Sequence, residues 1–225
     1  MYEDTKIIGF AGFCKSDIIL YLSRILYLTG DKVAVIDRSH EQELYYHVPA
    51  ESISDDRLEY RGIDVYLRCQ NIPLKDFPVK DYQVVLVDLG VNSETYEDVK
   101  LLKVLYIVTD CNRHHTIPLS AWLRNLATGP DSVRIIRDTV YGKIRPRYID
   151  SLLQAGQVTN VLAKYEFRLN DDEYSTRLLC QYDDIYRFAK IPEDYKNMLM
   201  DCITEIFGKE VKSARKALRK AQMGG

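Results

Sequence analysis

Apolar residues come in short runs divided by polar turns, and the runs alternate between two periods. From Lys6 the chain reads as a short apolar strand, then a turn with two glycines, Gly9 and Gly12. Over residues 16–29 the apolar positions Ile18, Ile19, Leu22, Ile25, Leu26 and Leu28 repeat at helical spacing, and Gly30 stands where a helix end is expected. Residues 32–37 form a second apolar run that ends in the carboxylate of Asp37. Strand, helix and strand within about thirty residues make a βαβ unit, the building block of parallel sheets. Residues 40–60 are polar and irregular apart from a short helix near 41–47, and 72–80, with Pro73 and Pro78, reads as a connection. Further strands are predicted at 62–67, at 82–90 ending in Asp88-Leu89-Gly90, at 103–109 and at 133–138, with an edge strand at 165–169. Helices are predicted at 117–127 and 145–153. Beyond Asp184 the chain turns helical, with Pro192 at the first position of a helix that carries Tyr195, Met198, Leu199, Cys202, Ile203 and Ile206 on one face as far as Gly208.

The alternation predicts a doubly wound α/β fold, a mainly parallel sheet with helices on both faces and a ligand crevice at the carboxyl ends of the strands. With no internal repeat or linker, residues 1–208 read as one domain and 209–225 as a basic C-terminal helix or tail. Val211, Ala214, Ala217, Leu218 and Ala221 give that tail a small apolar face, too small for strong membrane insertion. Its expected use is contact with a partner or, weakly, with a membrane surface.

At 225 residues, 46% hydrophobic and 28% charged, the chain can bury one sizeable core. The net charge of −2 makes no general case for nucleic acid, and no specific nucleic-acid partner is expected. Cys14, Cys69, Cys111, Cys180 and Cys202 are odd in number and contain no C-x-x-C pair, which argues for a reducing compartment and against a disulfide framework or zinc site. The acidic start, Met1-Tyr2-Glu3-Asp4, precedes no signal-peptide pattern, and no apolar run approaches a membrane span. The expected location is cytoplasmic, peripheral to the membrane where the tail makes contact.

Chemistry concentrates where the first strand meets the first helix. Gly9, four residues, a sixth position and then Lys15-Ser16 follow the spacing of a phosphate-binding loop, in which backbone N–H groups and a helix N-terminus surround phosphate oxygens. Gly12 falls inside the loop. Cys14 stands where the last glycine belongs, which adds a side chain to the tightest part of the cradle and makes a positive φ costly. Lys15 supplies a point charge and Ser16 a hydroxyl for Mg²⁺. The same residues equally describe a βα turn that keeps its shape for packing and holds no nucleotide. Cys14 reads as a buried structural thiol rather than a reactive one. His114-His115 has no Cys or acid at ligand spacing and reads as a solvated pair in an exposed loop, while Asp171-Asp172-Glu173 suits a helix start.

Together these residues resemble the MinD/ParA group of P-loop ATPases with a deviant Walker A loop. Phe10 occupies the position of that family's signature lysine, Ala11 and Gly12 its middle glycines, and Cys14 its last. Asp37 matches the carboxylate ending the second strand, Ser39 replaces a second acid, and Asp138 stands in place of an adenine-contacting Asn. Asp88 matches the Walker B aspartate, and Asp88-Leu89-Gly90 is similar to the form in the pilus-assembly members called TadZ or CpaE. The resemblance implies ATP or ADP held by Gly9, Gly12, Cys14, Lys15, Ser16, Asp37 and Asp88, with Mg²⁺ facing Ser16, Asp37 and Asp88. Departures gather at the nucleotide, so the implied activity is that of a pseudo-ATPase. Such a protein is a localisation or assembly factor for a pilus or secretion machine, acting through protein partners and as a homodimer. Phe10 is then expected to pack against a partner or plug the cradle. The alternative is a working ATP-dependent dimerisation switch, a slow ATPase of the same family. A small-molecule enzyme on this scaffold has no acid–base constellation behind it.

Overall fold

A computed structural model describes residues 5–48, 57–182 and 187–224. The acidic start at residues 1–4, part of the irregular stretch 40–60, and Asp184, where the turn to helix is predicted, lie outside the described residues. Eight strands form one sheet in the order β3 (Arg57–Tyr60), β4 (Ile63–Tyr66), β2 (Val33–Asp37), β5 (Val84–Gly90), β1 (Lys6–Gly12), β6 (Val104–Thr109), β7 (Asp131–Thr139) and β8 (Val161–Arg168). All neighbours are parallel except β3 and β4, which form an antiparallel hairpin through Arg61 and Gly62, both at positive φ. β3 falls in the stretch that reads as irregular. Its burial alternates poorly because it is an edge strand, and its polar residues hide the period.

The central strands are buried on both faces, which is why they read as continuous apolar runs rather than as alternation. Successive residues nevertheless divide between two cores. Ile8, Phe10, Val33, Val35, Leu86, Tyr106 and Val108 join one core, and Ile7, Ala11, Ala34, Ile36, Val87, Leu105 and Ile107 join the other. The first core is closed by α1 (Ser16–Leu28), α5 (Asp171–Tyr182), α6 (Glu193–Asp201) and α7 (Val211–Gln222). The second is closed by the short α2 (Tyr96–Val99), α3 (Arg113–Arg124) and α4 (Pro146–Leu153). This is the expected doubly wound α/β fold.

Two local expectations change. Pro192 is the N-cap of α6 rather than its first residue, and α6 continues as a π-helical turn, Cys202–Ile206, before Gly208 ends it at positive φ. The apolar face of α7 is not free: Ala214, Ala217, Leu218 and Ala221 are buried against the first core, α1 included, and only Val211 stays exposed. Lys209 adds an ion pair with Asp31, 2.5 Å, at the turn after α1. The stripe expected to meet a membrane or partner is therefore spent on intramolecular packing, leaving the basic face outward.

Candidate functional site

The strand order reverses around β1, and crevices form outside the carboxyl ends of strands at such points. Here β1 runs through residues 13–15 into α1, β2 ends at Asp37, β5 carries Asp88, and β6 is followed by Asp110. A cleft of about 500 Å³ opens here, with walls that include Cys14, Ser16, Asp17, Glu43, Asp110 and His115, while Lys15, Asp37 and Asp88 are fully buried and do not line it.

Lys15 is fully buried. Its Nζ lies 2.9 Å from Asp88 Oδ1 and donates a hydrogen bond of 2.7 Å to the Gly12 carbonyl. Burial alone would lower the pKa of this ammonium, but Asp88, followed by Glu43, holds it above the ordinary value and charged. Asp37 and Asp88 are register partners on adjacent parallel strands. Asp37 Oδ1 accepts from the Ser39 N–H (3.0 Å) and Oγ (2.7 Å), and Asp88 Oδ1 also accepts from the Gly90 N–H (2.9 Å). The second oxygens, Asp37 Oδ2 and Asp88 Oδ2, are buried with no hydrogen-bond partner. Burial pushes Asp37 up to about 6 despite the Ser39 bonds, and burial with the neighbouring Asp37 charge pushes Asp88 up as well. One ammonium faces these two carboxyls and Glu43, which leaves two negative charges for two protons or a divalent cation to balance. The Ser16 hydroxyl is turned to Glu43 Oε2, 2.8 Å.

The loop differs from expectation at its first glycine. Gly9 is a mid-strand residue of β1, paired with Val87 and Leu105, and a Cβ there would meet Leu102 Cδ1 at 2.4 Å. It is a packing glycine, because β1 stays in the sheet through Gly12. Phe10 accordingly points into the core, fully buried and stacked on Tyr106 with ring centroids 4.8 Å apart, rather than toward a partner or the cradle. Gly12 has a structural requirement: φ is +103°, and a Cβ would lie 1.9 Å from the Val108 carbonyl oxygen. Cys14 adopts the left-handed region, φ +55°, so the replacement keeps the loop's backbone conformation despite the cost expected of a side chain there. The Phe13 N–H is bound to the Val108 carbonyl (3.0 Å), whereas the N-terminus of α1 has no side-chain cap.

A buried ion network that no motif announces braces the loop. Arg137 of β7, 1% exposed, donates to Asp17 Oδ1 (2.7 Å) and Oδ2 (2.9 Å), to the Cys14 carbonyl (2.7 Å) and to Glu173. Tyr195 adds its hydroxyl to Asp17 Oδ2, 3.0 Å. Against the burial that would raise it, Arg137 holds the Asp17 carboxyl below the usual range. Glu173 therefore does more than start α5. Asp138, at φ +53°, pairs with Arg177 (3.0 Å) on the same wall.

His115 is not in an exposed loop. It lies in the first turn of α3, stacked on Phe13 with centroids 4.5 Å apart, with Nδ1 3.0 Å from Asp110 Oδ1. His114 is exposed. Asp110 repeats the pattern seen at Asp37, an apolar strand followed by a carboxylate, and that signal could have marked it in the sequence. Asp17 and Arg137 carry none.

For ATP with Mg²⁺, the two orphaned carboxylate oxygens and the uncapped helix N-terminus fit the cation and a phosphate. Lys15, the side chain that would meet phosphate, is bonded to Asp88 and Gly12.

No protein-family model and no curated protein matches the sequence. Solved structures do. The MinC:MinD cell division complex of Aquifex aeolicus matches with a TM-score of 0.60 at 11% identity, over 92% of this chain and 97% of that one. A ParA family ATPase from Chlorobium tepidum TLS matches with 0.58 at 11% identity, over 96% and 97%. The pNOB8 ParA bound to nonspecific DNA matches with 0.50 at 12% identity, over 97% and 100%. The expectation of no nucleic-acid contact accordingly draws no support from the fold. At these identities the likeness is one of architecture: this chain has the fold of the ParA and MinD P-loop ATPases.

Proposed function

We propose that the chain is a localisation or assembly factor on the ParA/MinD fold, working through protein contacts with little or no ATP hydrolysis. The observation that carries this reading is the state of Lys15, buried and bonded to both Asp88 and Gly12. Phosphoryl transfer depends on positioned charge at the β- and γ-phosphates. Here the positioned charge is already neutralised by the aspartate that would serve Mg²⁺. Phe10 supplies no second ammonium, because its ring belongs to the core. Losing one preorganised contact of this kind costs about two to three orders of magnitude in rate. The similarity of Asp88-Leu89-Gly90 to the pilus-assembly members makes a pilus or secretion machine the proposed setting, in the cytoplasm. Among the described residues no helix is long and apolar enough to cross a membrane.

A nucleotide switch is the second reading, and the unpartnered oxygens of Asp37 and Asp88 favour it. Mg²⁺ with a nucleotide would be held by Lys15, Ser16, Asp37 and Asp88 after Lys15 leaves Asp88. Sedimentation velocity with and without Mg-ATP separates the two. We expect the same distribution of species in both; a dimer that forms only with ATP overturns the first reading.

A further inference from the structure

A second group of ligand-bearing side chains faces the same cleft, apart from the Lys15–Asp88 pair. Cys14 Sγ, a carboxylate oxygen of Asp110 and a ring nitrogen of His115 lie within 4.8 Å of one another. Cys14 Sγ is 3.7 Å from Asp110 Oδ2, and His115 Nδ1 is 3.0 Å from Asp110 Oδ1. A tetrahedral zinc ion with ligand bonds of roughly 2.0–2.3 Å places its donor atoms about 3.3–3.7 Å apart, so the cluster, whose donors lie within 4.8 Å of one another, coordinates after side-chain shifts of about 1 Å. The group is also held in place. Asn112 donates its backbone N–H to Asp110 Oδ1 (2.8 Å) and its side-chain amide to Oδ2 (2.6 Å), Phe13 stacks on the His115 ring, and Arg137 holds the Cys14 carbonyl. Supporting contacts of this kind orient metal ligands.

We propose that Cys14, Asp110 and His115 form a binding site for a zinc-class divalent cation, with its fourth position open to the cleft. Thiolate, carboxylate and imidazole together carry two negative charges, which balance a divalent ion. The thiolate and imidazole select zinc or cobalt over Mg²⁺, whose hard-oxygen preference is met instead at Asp37 and Asp88. On metal binding the Cys14 thiol releases one proton to solvent, and the His115 proton moves from Nδ1 to Nε2, freeing Nδ1 to coordinate. Cys14 comes from the loop, Asp110 from the β6–α3 connection, 96 residues away, and His115 from the first turn of α3. The ion would therefore tie together the two walls of the cleft. The side chain that departs from the last loop glycine thereby gains a chemical role independent of nucleotide.

The test is titration of the full chain with Co²⁺ under reducing conditions, followed by competition of Zn²⁺ against a chromophoric chelator. One equivalent of Co²⁺ should give a thiolate-to-cobalt charge-transfer band in the near ultraviolet. Cys14→Ser should abolish the band, and both Cys14→Ser and His115→Gln should weaken Zn²⁺ binding at least tenfold. Cys111→Ser, a change at the adjacent half-buried thiol, should leave both readouts unchanged. Circular dichroism confirms that each variant is folded. A band that is absent from the wild type, survives Cys14→Ser or disappears in Cys111→Ser overturns the proposal.

Discussion

Arg137→Met is the substitution with the largest effect that the geometry allows to be worked out in advance. It preserves most of the side-chain volume and removes the one cation that reaches Asp17, Glu173 and the Cys14 carbonyl together. All three acidic or basic partners are nearly inaccessible: Arg137 is 1%, Asp17 4% and Glu173 5% exposed. Removing one member of a buried ion pair costs about 3–5 kcal/mol, because the remaining charge is left desolvated. Two carboxyls remain here, and Arg177 reaches Glu173 only at 3.9 Å. For a chain of this size about 2–4 °C of melting temperature follows each kcal/mol, so the melting point should fall by roughly 6–20 °C. Urea unfolding at pH 7, monitored by far-ultraviolet circular dichroism, measures the loss. The double variant Arg137→Met/Asp17→Asn should lose clearly less than the two single losses added, since neutralising Asp17 removes the stranded charge. A single-variant loss below about 1 kcal/mol, or additivity within about 0.5 kcal/mol, would refute the reasoning.

Further expectations concern pH and the C-terminal helix. Asp37 is raised from an ordinary value near 3.9 to about 6, so between those pH values the native state binds more protons than the unfolded chain, and stability falls as pH rises through the window. Asp37→Asn should flatten that part of a denaturation midpoint–pH curve measured in chelator, and parallel curves for wild type and variant would contradict the assignment. Leu218→Ala should cost about 2–3 kcal/mol in thermal unfolding, because the side chain is buried in the core that α1 and α7 share. A neutral result would mean that α7 is a free tail after all.

How far the sequence could be read follows from which interactions are local. The two-sided burial of β1, β2, β5 and β6 writes itself as apolar runs, and the helical period of α1 as regularly spaced Ile and Leu, so the doubly wound sheet is legible before any contact is known. Lys15, Asp37 and Asp88 are legible for the same reason, each sitting at a strand or helix end with a fixed spacing. What Gly9 and Phe10 do is not. Where β1 stops depends on its pairing with Asp88, Gly90 and Val108 on other strands, and that pairing carries β1 three residues further than the motif suggests. The fate of the α7 stripe was hidden likewise: an amphipathic helix declares that one face is covered, not what covers it. Arg137 was invisible because an arginine inside an apolar strand has no local signature, and its partners lie 36 to 123 residues away. The Cys14–Asp110–His115 grouping needed the same long-range closure.

The most direct test of the account is phosphate release from Mg-ATP by the wild-type chain beside Lys15→Ala, with a fluorescent ATP analogue titrated against both. Lys15 bonded to Asp88 and Gly12 predicts turnover indistinguishable between the two proteins, with at most weak nucleotide binding through Ser16 and the N-terminus of α1. Wild-type turnover clearly above that of Lys15→Ala would show that the ion pair opens for substrate, and it would contradict the reading of this cleft as one that has given up ATP hydrolysis.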